Sequence, residues 1–194
     1  MSENSNPPFE AKPESPWKTH AIREVYDNPW IRVTHREVSD PSGAEGIYGV
    51  VHFKNVAIAA VPLDEELNTY LVGQYRYTLD AYSWEVPEGG GPLGTDPLEN
   101  ARRELLEETG LVAQEWRLVA EMDLSNSVTD ERGMVFVARR LSQHAPQPES
   151  TELLRVRKLP FHEALDMALR GEIRDALSLI ALMKVQLLLE RGEL

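Results

Sequence analysis

Cysteine is absent from the 194 residues. That absence excludes disulfide staples, thiolate zinc sites and cysteine nucleophiles together, so the fold must rest on its apolar core. Basic residues are scarce beside acidic ones, 20 Lys and Arg against 32 Asp and Glu, for a formal net charge of -12. The resulting field repels phosphodiester backbones, and no nucleic-acid partner is expected. A small phosphorylated ligand needs a cation or local arginines to offset that field. No apolar run is long enough for a bilayer span. The most hydrophobic segment, "ALSLIALMKVQLLLE" at 176–190, carries Lys184 and Gln186 and reads as a buried or dimer-facing helix, with no membrane partner expected. Residues 1–16 lack both a basic n-region and an apolar h-region; they read as a flexible leader, and the expected location is cytoplasmic. The phosphate loops G-x-x-x-x-G-K-[ST] and G-x-G-x-x-G are missing despite the glycine run at 89–91, which reads as a turn feeding the helix that follows it. His20, His35, His52, His144 and His162 show no zinc spacing and read as structural or surface residues.

What is present suits one medium domain, or one domain with a small attachment, since 42% hydrophobic content over this length can build a sizeable core. From Trp30 to Tyr82 the chain is strand-like, with "WIRVTHREV", "GIYGVVHF", "VAIAAVPL" and "TYLVGQYRY" interrupted by a turn at "DEELN". The period then changes. "DPLENARRELLEETG" predicts a helix with Asp96 as N-cap, Pro97 at its first position, Glu99 three residues after the cap and Gly110 as its stop. Strands are expected again at "WRLVAEMDL", "RGMVFVARRL" and "LLRVRKL", then two helices beginning near Pro160 and Arg174. The order of strands, helix, strands and helices predicts a mixed α/β sandwich.

The central helix raises an electrostatic problem. At 100° per residue, Glu104, Glu107 and Glu108 fall within about 100° of one another, next to a face carrying Leu98, Ala101 and Leu105. Like charges three and four apart cost a few tenths of a kcal/mol per pair, and Arg103 reaching Glu107 relieves only part of that. A divalent cation would relieve the rest, and Mg2+ takes oxygen ligands of this kind. Taken alone, the pattern is more often a solvated helix face.

The flanking residues decide between these readings. The segment "EVPEGGGPLGTDPLENARRELLEETGL" resembles the Nudix hydrolase signature G-x5-E-x7-R-E-U-x-E-E-x-G-U, where U is aliphatic. Gly89 takes its first place; Arg103, Glu104, Leu105, Glu107, Glu108, Gly110 and Leu111 take its last seven fixed places. One position departs: Thr95 stands where the family has a glutamate that supports the loop and helix, and Asp96 and Glu99 are the acids placed to compensate. The strand order upstream and the last two helices resemble the family's branch acting on ADP-ribose and nucleoside diphosphate sugars.

The resemblance implies a Nudix-type α/β/α sandwich with a mixed sheet and an N-terminal β-rich extension. It implies Mg2+, or Mn2+, held by Glu104, Glu107, Glu108 and the backbone carbonyl of Glu88, with Arg103 orienting the glutamates. A carboxylate outside the helix is then wanted as general base. Glu152, Glu149 and Glu131 are the candidates, favoured in that order. The resemblance also puts Arg76 of "QYR" on the substrate phosphates and Glu85 in the pocket wall, with Trp84, Tyr75 and Tyr77 as nearby aromatic surface. Asn126 stands where ADP-ribose pyrophosphatases often carry proline, so a GDP-, ADP- or UDP-sugar competes with ADP-ribose as substrate.

The expected organisation is a leader over 1–16, N-terminal strands over 17–54 serving dimerisation, and a hydrolase domain over 55–194. The expected assembly is a homodimer with strands exchanged or packed across the two-fold. Two other functions fit the chain less fully: a non-hydrolytic nucleotide sensor, and a hydrolase of nucleoside triphosphates or dinucleoside polyphosphates.

Overall fold

The computed structural model describes residues 14–145 and 153–194. The chain divides into two compact units, Met1–His52 and Phe53–Leu194. In the first, β1 (Lys18–Asp27), β2 (Ile31–Ser39) and β3 (Glu45–Phe53) form a three-stranded sheet in that order. β1 and β2 are antiparallel, from Lys18 opposite Ser39 to Asp27 opposite Arg32. Thr34 and Val38 are buried, whereas Ile22, Tyr26, Trp30 and Ile47 are exposed.

The second unit is built on two further sheets. One has the order β10-β5-β6, from β10 (Arg155–Pro160), β5 (Asn68–Arg76) and β6 (Ala81–Glu85), and the other has the order β7-β4-β9-β8. The latter comprises β4 (Asn55–Pro62), β7 (Glu88–Pro92), β8 (Leu111–Asp123) and β9 (Arg132–Gln143). It is mixed, because β4 runs parallel to β9 and antiparallel to β7.

β4 reads as a continuous apolar run because both of its faces are covered. Val56, Ile58 and Ala60 point to one side, where they cluster with Ala101 and Leu105 of α1 (Pro97–Thr109). Ala59 and Val61 point to the other, toward α2 (Phe161–Leu169) and α3 (Ala176–Glu190). β9 alternates likewise, Phe136 and Ala138 to the α1 side, Val135 and Val137 to the α3 side. The result is the expected α/β/α sandwich. Fully buried chains such as Ile58, Leu71 and Leu105 each contribute roughly 1.5–3 kcal/mol. α3 is apolar nearly all round, and Leu177, Ala181, Leu182 and Val185 are buried against this core. Among the described residues no helix is long and apolar enough to cross a membrane.

Helix α1 begins and ends where its residues dictate. The N–H of Leu98 donates to the Asp96 side chain at 2.9 Å, and Pro97 needs no acceptor for a missing donor. Gly110 stops the helix at φ 72°, a conformation costly to residues with a Cβ, and its N–H donates to Leu106 O at 2.9 Å. Two expectations change. The glycine run at 89–91 is strand β7, not a turn, paired antiparallel with residues 56–58 on β4. β8 starts directly after Gly110, five residues before the expected Trp116, because pairing with β9 extends to Leu111 opposite Gln143.

Candidate active site

The acidic helix is docked on β7. The N–H of Glu88 donates to Oε2 of Glu108 at 2.9 Å, and the Arg103 guanidinium donates to Gly90 O at 3.1 Å, to Glu104 Oε1 at 2.6 Å and to Glu107 Oε2 at 2.6 Å. Arg103 therefore spans two of the three clustered glutamates and the strand beneath them. Burial works against its charge, but Glu104 and Glu107 outweigh that and hold the guanidinium more firmly protonated than usual. Glu104 and Glu108 are buried, while Glu107 is half-buried.

The glycines of β7 allow this approach. A Cβ added at Gly89 would lie 2.2 Å from the Glu104 carboxylate, one at Gly90 2.9 Å from Asn55 Nδ2, and one at Gly91 2.6 Å from Asn100 Nδ2. The first glycine of the signature is thus required by space, not by backbone angle. Thr95 closes the turn between β7 and α1: its hydroxyl donates to Pro92 O at 2.6 Å and accepts from Asn100 Nδ2 at 2.7 Å. Asp96 caps α1, and Glu99 pairs with Arg102, so neither of them replaces the signature glutamate.

A cavity of about 750 Å³ lies beside Glu88, lined in part by Arg76, Glu85, Glu131 and Asp175. Arg76 binds Glu85 through Nε, at 2.9 and 3.1 Å to its two oxygens, and through Nη2; Nη2 also reaches Glu88 Oε1 at 2.9 Å. Gln74 Nε2 adds a donor to Glu85 at 3.3 Å. Burial opposes the charge on Arg76, but Glu85, Glu88 and Asp175 overcome it and raise its pKa. The Glu88 carboxyl is pushed well above the usual carboxylate range, first by burial, then by Asp175 and Glu85, with Arg76 opposing. Burial and Asp175 also raise Glu131.

Asp175 and Ser178 also belong to this site, although no sequence motif marks them. Ser178 Oγ donates to Glu88 Oε2 at 3.3 Å and accepts from the Val86 N–H at 3.0 Å, across 90 and 92 positions of sequence. Asp175 was legible only as a cap for α3, where its Oδ2 accepts from the Ser178 N–H at 2.7 Å.

Of the expected site residues, Arg103, Glu104, Glu107 and Glu108 come together over β7. Arg76, Glu85, Glu88 and Glu131 line the cavity. Trp84 does not; it packs on the core and meets Tyr82 edge-on, centroids 5.7 Å apart. Tyr75 donates to Asp80, and Tyr77 is exposed. Asn126 is exposed in the segment between β8 and β9. Glu149 and Glu152 lie outside the described residues.

Two sets of carboxylates stand out: the helix glutamates against β7, and Glu85, Glu88 and Asp175, whose carboxylate oxygens lie within 4.8 Å of one another. Neither includes a histidine, and cysteine is absent, so the donor chemistry fits a hard divalent cation and not zinc or copper.

Residues 53–180 match the NUDIX domain family, and residues 17–51 match the nucleoside diphosphate sugar hydrolase N-terminal domain. The chain belongs to the NUDIX family. An ADP-ribose pyrophosphatase of Mycobacterium tuberculosis (strain ATCC 25618 / H37Rv) is 34% identical over 89% of this chain and 84% of its own. A methanol dehydrogenase activator of Bacillus methanolicus is 27% identical over 88% and 92% respectively. A crystal structure of an ADP compounds hydrolase superposes with a TM-score of 0.82 at 19% identity, covering 95% of this chain and 100% of that one, which is a likeness of fold.

Proposed function

We propose that this protein is a Mg2+-dependent pyrophosphatase that splits the diphosphate linkage of ADP-ribose or a nucleoside diphosphate sugar into a nucleoside monophosphate and a sugar phosphate. One observation carries the reading. The signature glutamates are gathered against β7 by Arg103 and the Glu88 N–H, beside a cavity of about 750 Å³, a size suited to a small-molecule ligand. The relative named as an ADP-ribose pyrophosphatase and the match of residues 17–51 support this substrate class.

Glu104, Glu107, Glu108 and the Glu88 carbonyl would hold the ion. When bound, Mg2+ neutralises phosphoryl oxygens and lowers the pKa of a bound water. Arg103 keeps Glu104 and Glu107 aimed, since its two terminal nitrogens tie both to the backbone of β7. Arg76, braced by Glu85 and Glu88, contacts the substrate phosphates, and Trp84 stiffens the strand that carries Glu85. The proton of the attacking water goes to Glu152, Glu149 or Glu131; a raised pKa suits Glu131 to accept it near neutral pH.

Residues 17–54 serve as the dimerisation element. The exposure of Ile22, Tyr26, Trp30 and Ile47 on a small sheet supports a second copy covering them. The location proposed for this activity is cytoplasmic.

The test is a panel of ADP-ribose, GDP-mannose, UDP- and ADP-sugars, NADH, dinucleoside polyphosphates and nucleoside triphosphates with Mg2+ or Mn2+. Monophosphate release from ADP-ribose or a nucleotide sugar is expected. No turnover across the panel would sink the proposal, and tight binding without turnover would make the protein a sensor.

A further inference from the structure

Among the described residues, Arg76 and Arg174 are the two guanidiniums lining the cavity, against five carboxylates that also line it. An anionic diphosphate meets an unfavourable field there unless cations compensate. Arg76 offers only part of its guanidinium, because its Nε and Nη2 are already engaged by Glu85 and Glu88.

Arg174 differs. It stands exposed between α2 and α3, and among the described residues its side chain makes no hydrogen bond or ion pair. The acids beside it in sequence are engaged elsewhere. Glu172 accepts from Arg170 Nε at 2.7 Å, and Asp175 accepts from the Ser178 N–H at 2.7 Å. The backbone on either side is anchored nonetheless: Ile173 is fully buried, and Asp175 caps α3. A fixed root with an uncommitted guanidinium over a cavity is a geometry for gripping a ligand, and the planar fork matches a phosphoryl group bidentately.

We propose that Arg174 is a specificity-determining residue that binds a phosphoryl oxygen of the diphosphate ligand in this cavity. The inference rests on the cavity being the substrate site of the proposed pyrophosphatase. Arg174 then adds a second guanidinium to that of Arg76, whose Nε and Nη2 are held by its two glutamates, and it favours diphosphate ligands over uncharged nucleosides.

The experiment compares the full-length wild type with Arg174→Gln, Arg174→Lys and the control Arg170→Gln. It measures kcat and KM for ADP-ribose with Mg2+, and equilibrium binding of ADP-ribose and of adenosine with Ca2+ in place of Mg2+. Expected for Arg174→Gln are a rise of about tenfold in KM and Kd for ADP-ribose, kcat within about twofold, and unaltered adenosine binding. Lysine restores part of the loss, and Arg170→Gln matches wild type. Unchanged KM and Kd in Arg174→Gln, or an equal loss in Arg170→Gln, overturns the assignment. Should the wild type turn over nothing, the pyrophosphatase reading fails while binding still decides on Arg174. Weakened ADP-ribose binding in Arg174→Gln upholds it; equal binding, or none by the wild type, overturns it.

Discussion

The N–H of Glu88 donates to Oε2 of Glu108 across 2.9 Å, joining the strand that borders the cavity to the last clustered glutamate of α1. The same two residues are expected metal donors, Glu88 by its carbonyl and Glu108 by its carboxylate. Substituting Glu108→Gln preserves an oxygen that can accept the Glu88 N–H but removes the negative charge. Activity is expected to fall by on the order of 100-fold or more, with little change in melting temperature. Monophosphate release beside a thermal melt checks this; surviving activity would mean the metal assignment is wrong.

Gly89→Ala tests the close approach of β7 and α1. Its Cβ would meet the Glu104 carboxylate at 2.2 Å, so Glu104 must turn away from Arg103 or the strand must shift. Destabilisation of about 1–3 kcal/mol is expected, with a higher Mg2+ concentration needed for half-maximal rate. Denaturant melts and a Mg2+ titration read the two effects separately.

Thr95→Val removes the hydroxyl that joins Pro92 O to Asn100, while keeping the shape of the side chain. A loss of about 0.5–1.5 kcal/mol in stability is expected, with the Mg2+ dependence of turnover retained. A changed Mg2+ optimum without a stability loss would give Thr95 a role in the metal site instead of the turn.

Burial and Asp175 raise the Glu131 pKa above its usual 4.5. If Glu131 is the base, activity rises as it ionises, so the acid limb of the rate profile lies above the ordinary carboxylate range. Glu131→Gln then abolishes that limb together with most of the rate. If the limb persists in Glu131→Gln and disappears in Glu149→Gln or Glu152→Gln, one of those acids is the base.

Asp64 provides a pH test of stability away from the site. Burial disfavours its charge, but Lys158 Nζ at 2.7 Å and the backbone and side chain of Asn68 outweigh that and lower its pKa from 3.8 to about 2. A depressed carboxylate stabilises the fold above its unfolded pKa, and this contribution is lost as pH falls through the folded value. Wild type is therefore expected to lose stability between about pH 3.8 and 2 more steeply than Asp64→Asn. Urea melts across that range compare the slopes.

Much of the second unit was legible because its signals are local. Asp96, Pro97 and Gly110 mark the ends of α1 by the backbone groups they satisfy or release, and β4 reveals its two covered faces as an unbroken apolar run. The three glutamates and Arg103 were legible by helical spacing, since residues three and four apart must share a face. The glycine run misled because glycine serves both turns and close approaches. Only the close approach of Glu104, Asn55 and Asn100 explains why β7 needs glycines while remaining a strand.

The sequence by itself determined a cysteine-free, acidic chain of mixed α/β class, a capped helix with clustered carboxylates, and the need for cations beside any phosphorylated ligand. Tertiary structure alone decided which residues face the cavity. Ser178 reaches Glu88, and Asp175 and Arg174 line the same cavity as Arg76 and Glu85, only because α3 packs against the central sheet some ninety residues downstream. Local periodicity reports a residue's own helix or strand face; the partner across the sandwich is set by how separate apolar faces bury one another.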